Sequence, residues 1–225
     1  MYWRNDDLNH PGIFITFEGP DGAGKTTQIE RIGKKLEEKG FKVVTTREPG
    51  GTMISNEIRR ILLSPSFQEM VKETEVLLYA ASRAQHVMEF IIPHIEKGYI
   101  VLCDRFVDAS IAYQGYGLQI PLETIQLINQ FATNRFKPHR TYLIDVPIEI
   151  GKHRLLQRSG DHNLDRIEQK NHEYHQRVRD GFYALAKKEK ERIKLVNGTL
   201  SQDKVYQLIY DDLISYINKR LGGLE

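Results

Sequence analysis

Hydrophobic positions in this chain alternate between two spacings. Five short runs are β-like: Ile13–Phe17, Lys42–Thr46, Tyr99–Cys103, Thr141–Asp145 and Arg192–Val196. The central ones are continuous rather than alternating, as expected of strands covered on both faces. Between them, apolar residues recur at helical spacing. The stretch Thr26–Lys39 ends at Gly40, a natural helix stop. A second runs from about Glu69 to Glu96 and stops at Gly98, with Leu77, Ala80, Ala81, Ala84, Met88 and Ile91 on one face, expected to meet the core. A third resumes at Asp165 and carries Tyr174, Val178, Phe182 and Leu185 on one stripe. Near the end, Val205, Leu208, Ile209, Leu213, Tyr216 and Ile217 keep the same period. Strands alternating with helices predict an α/β fold built on a parallel, doubly wound sheet.

The turn after each strand carries chemistry. After the first comes Gly19-Pro20-Asp21-Gly22-Ala23-Gly24-Lys25-Thr26-Thr27, the pattern G-x-x-x-x-G-K-[ST] between a strand and a helix. Its glycines let the backbone curl until several N–H groups point at one anion, and the helix N-terminus adds its dipole. Lys25 can reach the β/γ-phosphates of a nucleoside triphosphate, and the Thr26 hydroxyl can ligate Mg²⁺. The later strands end in Arg47-Glu48-Pro49-Gly50-Gly51-Thr52, Asp104-Arg105-Phe106, Asp145-Val146-Pro147 and Asn197-Gly198-Thr199. Open α/β sheets bind ligands at the carboxyl ends of their strands, so these turns converge on one rim.

Asp104 closes an apolar strand, where a Mg²⁺-organising carboxylate sits in phosphoryl-transfer folds. Arg47 and Arg105 bring two guanidiniums to the rim, suited to a second phosphate carried by an acceptor. Tyr79 and Arg83 lie four residues apart and share a helix face off the apolar stripe. An aromatic ring beside a guanidinium can stack on a base and hydrogen-bond to it. Arg154, Arg158 and Arg166 flank the polar break Ser159-Gly160-Asp161-His162-Asn163, which reads as a mobile basic lid over the triphosphate.

At 225 residues, 40% hydrophobic and 28% charged, the chain suits one domain with at most a small appendage. Residues 1–11 read as a loose N-terminal extension, and residues 12–225 as the domain, with a lid at about 151–168. A net charge of +2 gives no global argument for nucleic acid. Cys103 is the only cysteine, which excludes an internal disulfide and fits a cytoplasmic location. The polar segment Met1–His10 lacks the apolar core of a signal peptide, and no stretch approaches a membrane span.

Five blocks in this order and spacing resemble the thymidylate kinase family: FEGPDGAGKTTQ (17–28), TREPGGT (46–52), YAASR (79–83), DRFVDASIAYQG (104–115) and LDRIEQ (164–169). The resemblance implies a five-stranded parallel sheet flanked by helices, of the P-loop nucleoside monophosphate kinase kind, with a small helical lid. It implies ATP as phosphoryl donor, dTMP as acceptor, Mg²⁺ as cofactor and a homodimer formed through helices beside the sheet. Gly19, Pro20, Asp21, Gly22, Ala23, Gly24, Lys25, Thr26 and Thr27 would hold the ATP phosphates, with Arg154 and Asn197 also on the ATP side. Asp21 matches a carboxylate that helps position the nucleotide substrate. Arg47 and Arg105 match residues near the dTMP phosphate, Tyr79 an aromatic stacked on thymine, and Arg83 a donor to its carbonyl edge. Tyr113 matches an aromatic that disfavours a 2′-hydroxyl, with Gln114 and Ser110 in the same wall. Pro49 matches a proline found after a cis bond. Thr26 and Asp104 are the metal-side residues; Asp21, Lys25, Arg105, Arg158 and Arg166 are the catalytic candidates. Some members place an arginine beside the acidic residue of the phosphate loop; here that neighbour is Gly22, so the resemblance is to the form with lid arginines. Ala109 stands where many relatives have serine.

Two alternatives remain open from the residues alone. One is a kinase of another nucleoside or nucleoside monophosphate. The other is a P-loop switch or regulator that senses or hydrolyses nucleotide. The guanine-reading N-K-x-D of GTPases is absent; the tetrad at Asn218 reads Asn-Lys-Arg-Leu.

Overall fold

The computed structural model describes residues 11–159 and 164–220, without the side chains of Arg158 and Ser159. The expected extension therefore lies outside the described residues except for Pro11, as does the lid insert Gly160–Asn163. In chain order the elements are β1 (Ile13–Glu18), α1 (Lys25–Glu38), β2 (Val43–Arg47), α2 (Met53–Leu63) and α3 (Lys72–His86). A widened π turn (Val87–Ile91) then leads into α4 (Ile92–Glu96), β3 (Ile100–Asp104) and α5 (Val107–Ser110). A second π turn (Ile111–Gly117) precedes α6 (Leu122–Ala132), β4 (Arg140–Asp145), α7 (Ile148–Ser159), α8 (His172–Lys188), β5 (Ile193–Asn197) and α9 (Gln202–Arg220). The strands form one sheet in the order β2-β3-β1-β4-β5, every neighbouring pair parallel. All five expected strands are present, to within one residue at either end.

The central strands β3, β1 and β4 are buried on both faces, which is why β1 reads as a nearly continuous apolar run. Ile13, Ile15 and Phe17 pack beneath α1 and α9 with Ile32, Leu36, Leu102, Ile144, Ile209 and Leu213. Phe14 turns the other way, against Val87, Ile91, Ile95, Val101 and Phe106. A third cluster joins the second π turn to α8 through Tyr113, Tyr174, Val178 and Phe182. The register aligns Arg47 with Asp104, Asp104 with Phe17, and Asp145 with Asn197. The chemistry-bearing turns thus leave the sheet at one edge.

Two helix expectations need correction. Of the stripe from Leu77 to Ile91, only Ile91 is buried in the core. Leu77 is 60% and Met88 53% exposed, and Ala81 is exposed, whereas Glu75, Val76, Ser82, Arg83 and His86 are buried. The buried face of α3 is largely polar, so apolar periodicity selected the opposite side. The inserted residue of the π turn also rotates the face beyond Val87, and no single stripe can run the whole length. That turn precedes Pro93, whose missing N–H cannot continue the α-helical ladder. The second correction concerns the helix expected from Asp165. It starts at His172, capped by the Asn171 side chain on Tyr174 N at 2.9 Å. Residues 166–169 are turns, held by Asp165 Oδ1 accepting from the N–H groups of Ile167 and Glu168. A smaller difference lies in α9, where Leu208 is 53% exposed and Val205, Ile209, Leu213 and Ile217 form the buried stripe.

Candidate active site

The phosphate loop closes over the carboxyl end of β1. Gly19, Gly22 and Gly24 have φ of 137°, 75° and 92°, which side-chain-bearing residues rarely adopt. Space is short as well: a Cβ on Gly22 would lie 2.2 Å from the carbonyl oxygen of Gly151, in the first turns of α7. Gly24 begins α1 with no side-chain cap, so the first-turn N–H groups are left to an anion. Lys25 lies beneath the loop, its Nζ donating to the carbonyl oxygens of Gly19 (3.2 Å) and Pro20 (2.9 Å). Burial and then the positive Arg105 lower its pKa. Thr26 Oγ1 donates to Asp104 Oδ2 at 2.8 Å, joining the two residues expected on the metal side.

Beside the loop stands a compact charged cluster. Arg105, at φ 72°, donates from Nη1 to Gly19 O (2.8 Å) and from Nη2 to Asp21 Oδ1 (2.5 Å). Its guanidinium lies over the Tyr113 ring, 4.9 Å from the centroid, and Tyr113 OH donates to Asp21 Oδ2 at 2.8 Å. Burial alone would raise the pKa of Asp21, but Arg105 and then Lys25 outweigh it and hold the carboxyl well below the usual range. Asp21 is therefore an anion that fixes an arginine and a tyrosine. Behind it Glu18 is fully buried. Its Oε1 accepts from Phe106 N at 2.7 Å, and Oε2 has no hydrogen-bond partner. Burial, then nearby Asp108, pushes Glu18 up to about 8.

The cavity, of about 1390 Å³, runs from this loop to the wall formed by α3 and the second π turn. At the far end Tyr79, Arg83, Ser110, Tyr113 and Gln114 line it, with Arg47 and Pro49 between. Arg83 is 2% exposed and ion-paired to Glu48. Its Nε donates to Glu48 Oε2 (2.6 Å), Nη1 to Ser110 Oγ (2.9 Å) and Asn129 Oδ1, and Nη2 to Phe106 O (3.1 Å). Of five N–H donors one Nη2 hydrogen is left. Glu48 also accepts from His86 Nδ1 at 3.0 Å and sits before the cis bond to Pro49. Arg59 of α2 lines the same wall and donates to Pro49 O at 2.8 Å. Burial, then Arg47, lowers its pKa.

The expected residues do not all converge. From Asp21 to Thr27 the loop lines the cavity, as do Asp104, Arg105 and Arg154; Gly19 and Pro20, at the start of the loop, do not. Asn197 does not reach the cavity: its Oδ1 caps its own turn, accepting from Thr199 N at 2.9 Å. In its place Gly198, Leu200, Gln202 and Val205 line the donor side. Arg154 donates to Gly22 O (3.4 Å) and Gly198 O (3.2 Å), bridging loop and β5 turn. Arg158 lies on α7, its side chain outside the described residues. Arg166, expected as a catalytic lid residue, is 1% exposed, ion-paired to Glu75 at 2.8 Å and bonded through Nε to Leu62 O at 2.9 Å. Sequence reasoning missed Arg59, Glu18, Glu48 and Glu75. Only Glu18 and Glu48 had a signal, since each adjoins a glycine-bearing turn.

A sequence profile of the thymidylate kinase family matches residues 17–209. This chain belongs to the thymidylate kinase family. It is 54% identical to a thymidylate kinase of Exiguobacterium sibiricum over 209 residues, covering 93% of this chain and 97% of that protein. It is 46% identical to one of Geotalea daltonii over 92% of this chain and 99% of that one. The crystal structure of thymidylate kinase from Ehrlichia chaffeensis superposes with a TM-score of 0.73 at 34% identity, covering 90% of this chain and 98% of that one. Within a thymidylate kinase architecture, Gly22 has a steric reason. The Gly151 carbonyl occupies the space that any side chain there, an arginine included, would enter.

Proposed function

We infer that this chain transfers the γ-phosphoryl group of ATP to dTMP, giving dTDP and ADP in the route to dTTP. The observation that carries this reading is one cavity lined at one end by the phosphate loop and at the other by Tyr79, Arg83, Tyr113 and Gln114. Donor phosphates on the loop and a base against that wall bring the acceptor phosphate between them, beside Arg105, Arg47 and Arg59. The γ-phosphorus–oxygen bond to ADP breaks as a bond to a dTMP phosphate oxygen forms. The acceptor oxygen is already anionic, so no strong base is required. Positioning and charge neutralisation supply the rate. Asp21 holds Arg105 in place, and Arg83 offers its remaining N–H to a base carbonyl.

Thr26 and Asp104, joined at 2.8 Å, would hold Mg²⁺. One carboxylate and one hydroxyl suit an ion that takes most of its other ligands from phosphates and water. When bound, it would neutralise charge on the β/γ oxygens. Arg154 and Arg158 on α7 are the lid cations of this reading, and Arg166 anchors the lid base. Residues 12–225 act as one kinase domain, with the lid at about 151–168. Pairing with a second copy would use α2, α3 and α6. Helix α3 packs against the other two, and Met53 (80%), Leu77 (60%), Leu127 (66%) and Phe131 (90%) are exposed on the three. Light scattering after size exclusion tests that: a mass of one chain refutes it. No helix among the described residues is long and apolar enough to cross a membrane, and the reading places the enzyme in the cytoplasm.

A coupled ADP-release assay across a panel of monophosphates tests the reaction. dTMP should give the highest rate. Faster turnover of another monophosphate favours a different acceptor, and ADP release independent of any acceptor favours a nucleotide switch. Lys25→Ala should abolish turnover while dTMP binding stays measurable by calorimetry; unchanged turnover would reject the mechanism.

A further inference from the structure

Glu75 is 1% exposed and outside the cavity, with a hydrogen bond on one oxygen and an ion pair on the other. Oε2 pairs with Arg166 Nη2 at 2.8 Å, and Oε1 accepts from Gln114 Nε2 at 2.9 Å. Arg166 is itself fixed, donating Nε to Leu62 O at 2.9 Å and its backbone N–H to Leu63 O at 3.1 Å. Gln114 lines the cavity with only 2% of its surface exposed. The two ends of a glutamine amide are alike in shape, so a partner must decide which faces where. An ion-paired carboxylate only accepts. It therefore takes the NH₂ end and leaves the carbonyl oxygen of Gln114 for the cavity.

We propose that Glu75, held by Arg166, is a positioning residue that sets the amide of Gln114 so that the pocket accepts a ring N–H. This determines acceptor specificity, and it rests on the dTMP reading above. A pyrimidine-2,4-dione carries a hydrogen on N3 and satisfies that oxygen. A 4-aminopyrimidine presents a lone pair at N3, and two acceptors then face each other. The buried amide oxygen and the base nitrogen both go unpaired, the kind of mismatch that a polar pocket discriminates against strongly.

The chain of donors predicts what Glu75→Gln does. Arg166 still requires an acceptor and takes the new amide oxygen. The new NH₂ then faces Gln114, which must turn its own oxygen inward and present NH₂ to the cavity. The preferred base pattern inverts. The test measures kcat and KM for dTMP and for 5-methyl-dCMP, which differ only at position 4 and N3, in the parent, E75Q and E75D. In E75Q the dTMP:5-methyl-dCMP ratio of kcat/KM should fall by about ten- to a hundredfold. The change should lie mainly in the KM of the monophosphate, with the KM of ATP unchanged. E75D keeps an acceptor-only group and should keep the parent's ratio even if both rates drop. A ratio in E75Q within about twofold of the parent, with dTMP still turned over by the parent, overturns the inference alone. A parent inactive on dTMP overturns the functional reading and this inference with it. If E75Q does not fold, a crystal structure of the parent with dTMP decides. Gln114 within about 3.2 Å of N3 supports the proposal; Gln114 out of hydrogen-bond reach of N3 overturns it.

Discussion

Replacing Asp21 by Asn removes one charge and one acceptor from the centre of the site at nearly constant shape. Asp21 serves two donors at once, Arg105 Nη2 at 2.5 Å and Tyr113 OH at 2.8 Å, one on each oxygen. Asparagine has a single acceptor oxygen, so one of the two must lose its partner. The amide NH₂ would in addition confront whichever donor is left. A hydrogen bond to a charged group contributes about 1.5–3 kcal/mol. If Arg105 depends on that bond for its orientation, kcat/KM for dTMP should fall about ten- to a hundredfold, since about 1.4 kcal/mol is a factor of ten. Removing a negative charge beside bound phosphates acts in the opposite sense and should tighten ground-state binding. The loss should therefore appear in kcat, with KM for dTMP level or lower. Steady-state kinetics with coupled ADP detection reads both constants. Tyr113→Phe completes a double-mutant cycle. In the Asp21→Asn background, Tyr113→Phe should cost less than in the parent, because the one remaining oxygen then goes to Arg105. A kcat/KM in D21N within about threefold of the parent, or strict additivity in the cycle, refutes the idea that Asp21 acts by holding Arg105.

Three further outcomes rest on other contacts. Arg83→Ala leaves Glu48 without its buried guanidinium, a change that typically costs about 3–5 kcal/mol. Tm should fall by roughly 10 °C in a domain of this size, in addition to weaker dTMP binding; an unshifted melting curve would show the pair to be dispensable. Glu18→Gln tests the buried carboxyl whose pKa is pushed from 4.5 up to about 8 by burial and then Asp108. Between those values the folded state keeps a proton that the unfolded chain has shed, so the parent loses stability as pH rises through that window. Glutamine does not titrate, and the stability of E18Q relative to the parent should climb from pH 5 to pH 8.5 in urea titrations; a constant difference contradicts the assignment. Gly22→Ala places a methyl group 2.2 Å from the Gly151 carbonyl at a φ of 75°. It should displace α7 from the loop and raise KM for ATP at least about tenfold; ATP kinetics like the parent's would show that the loop has room.

Residues that act through local backbone geometry were legible in the sequence alone. Gly19, Gly22, Gly24, Lys25 and Thr26 sit where strand, turn and helix put them, within nine residues, and no distant contact is needed to predict an anion cradle there. The central strands were legible for a related reason: burial on both faces favours continuous apolar runs, as in β1 and β3. Family blocks added the roles of Tyr79, Arg83, Arg105 and Tyr113 by order and spacing. What the sequence could not show was which polar residues are buried. Glu48, Glu75, Arg83, His86 and Arg166 are all charged or titratable, yet each is less than 5% exposed. Their partners are far away in the chain: Glu75 meets Gln114 39 residues on, and Arg166 reaches Leu62 across 104. An apolar-periodicity argument counts such residues as solvent-facing, which turned α3 inside out; Arg166 was expected at the phosphates for its place beside a basic, polar break and for the family resemblance, neither of which registers its buried partners. Burying a charge is tolerated only where another charge or carbonyl meets it, and that meeting is made by the packing of helices on the sheet. Local dihedral chemistry wrote the cradle into the chain; the orientation of the cavity's far wall was decided only when distant side chains came together.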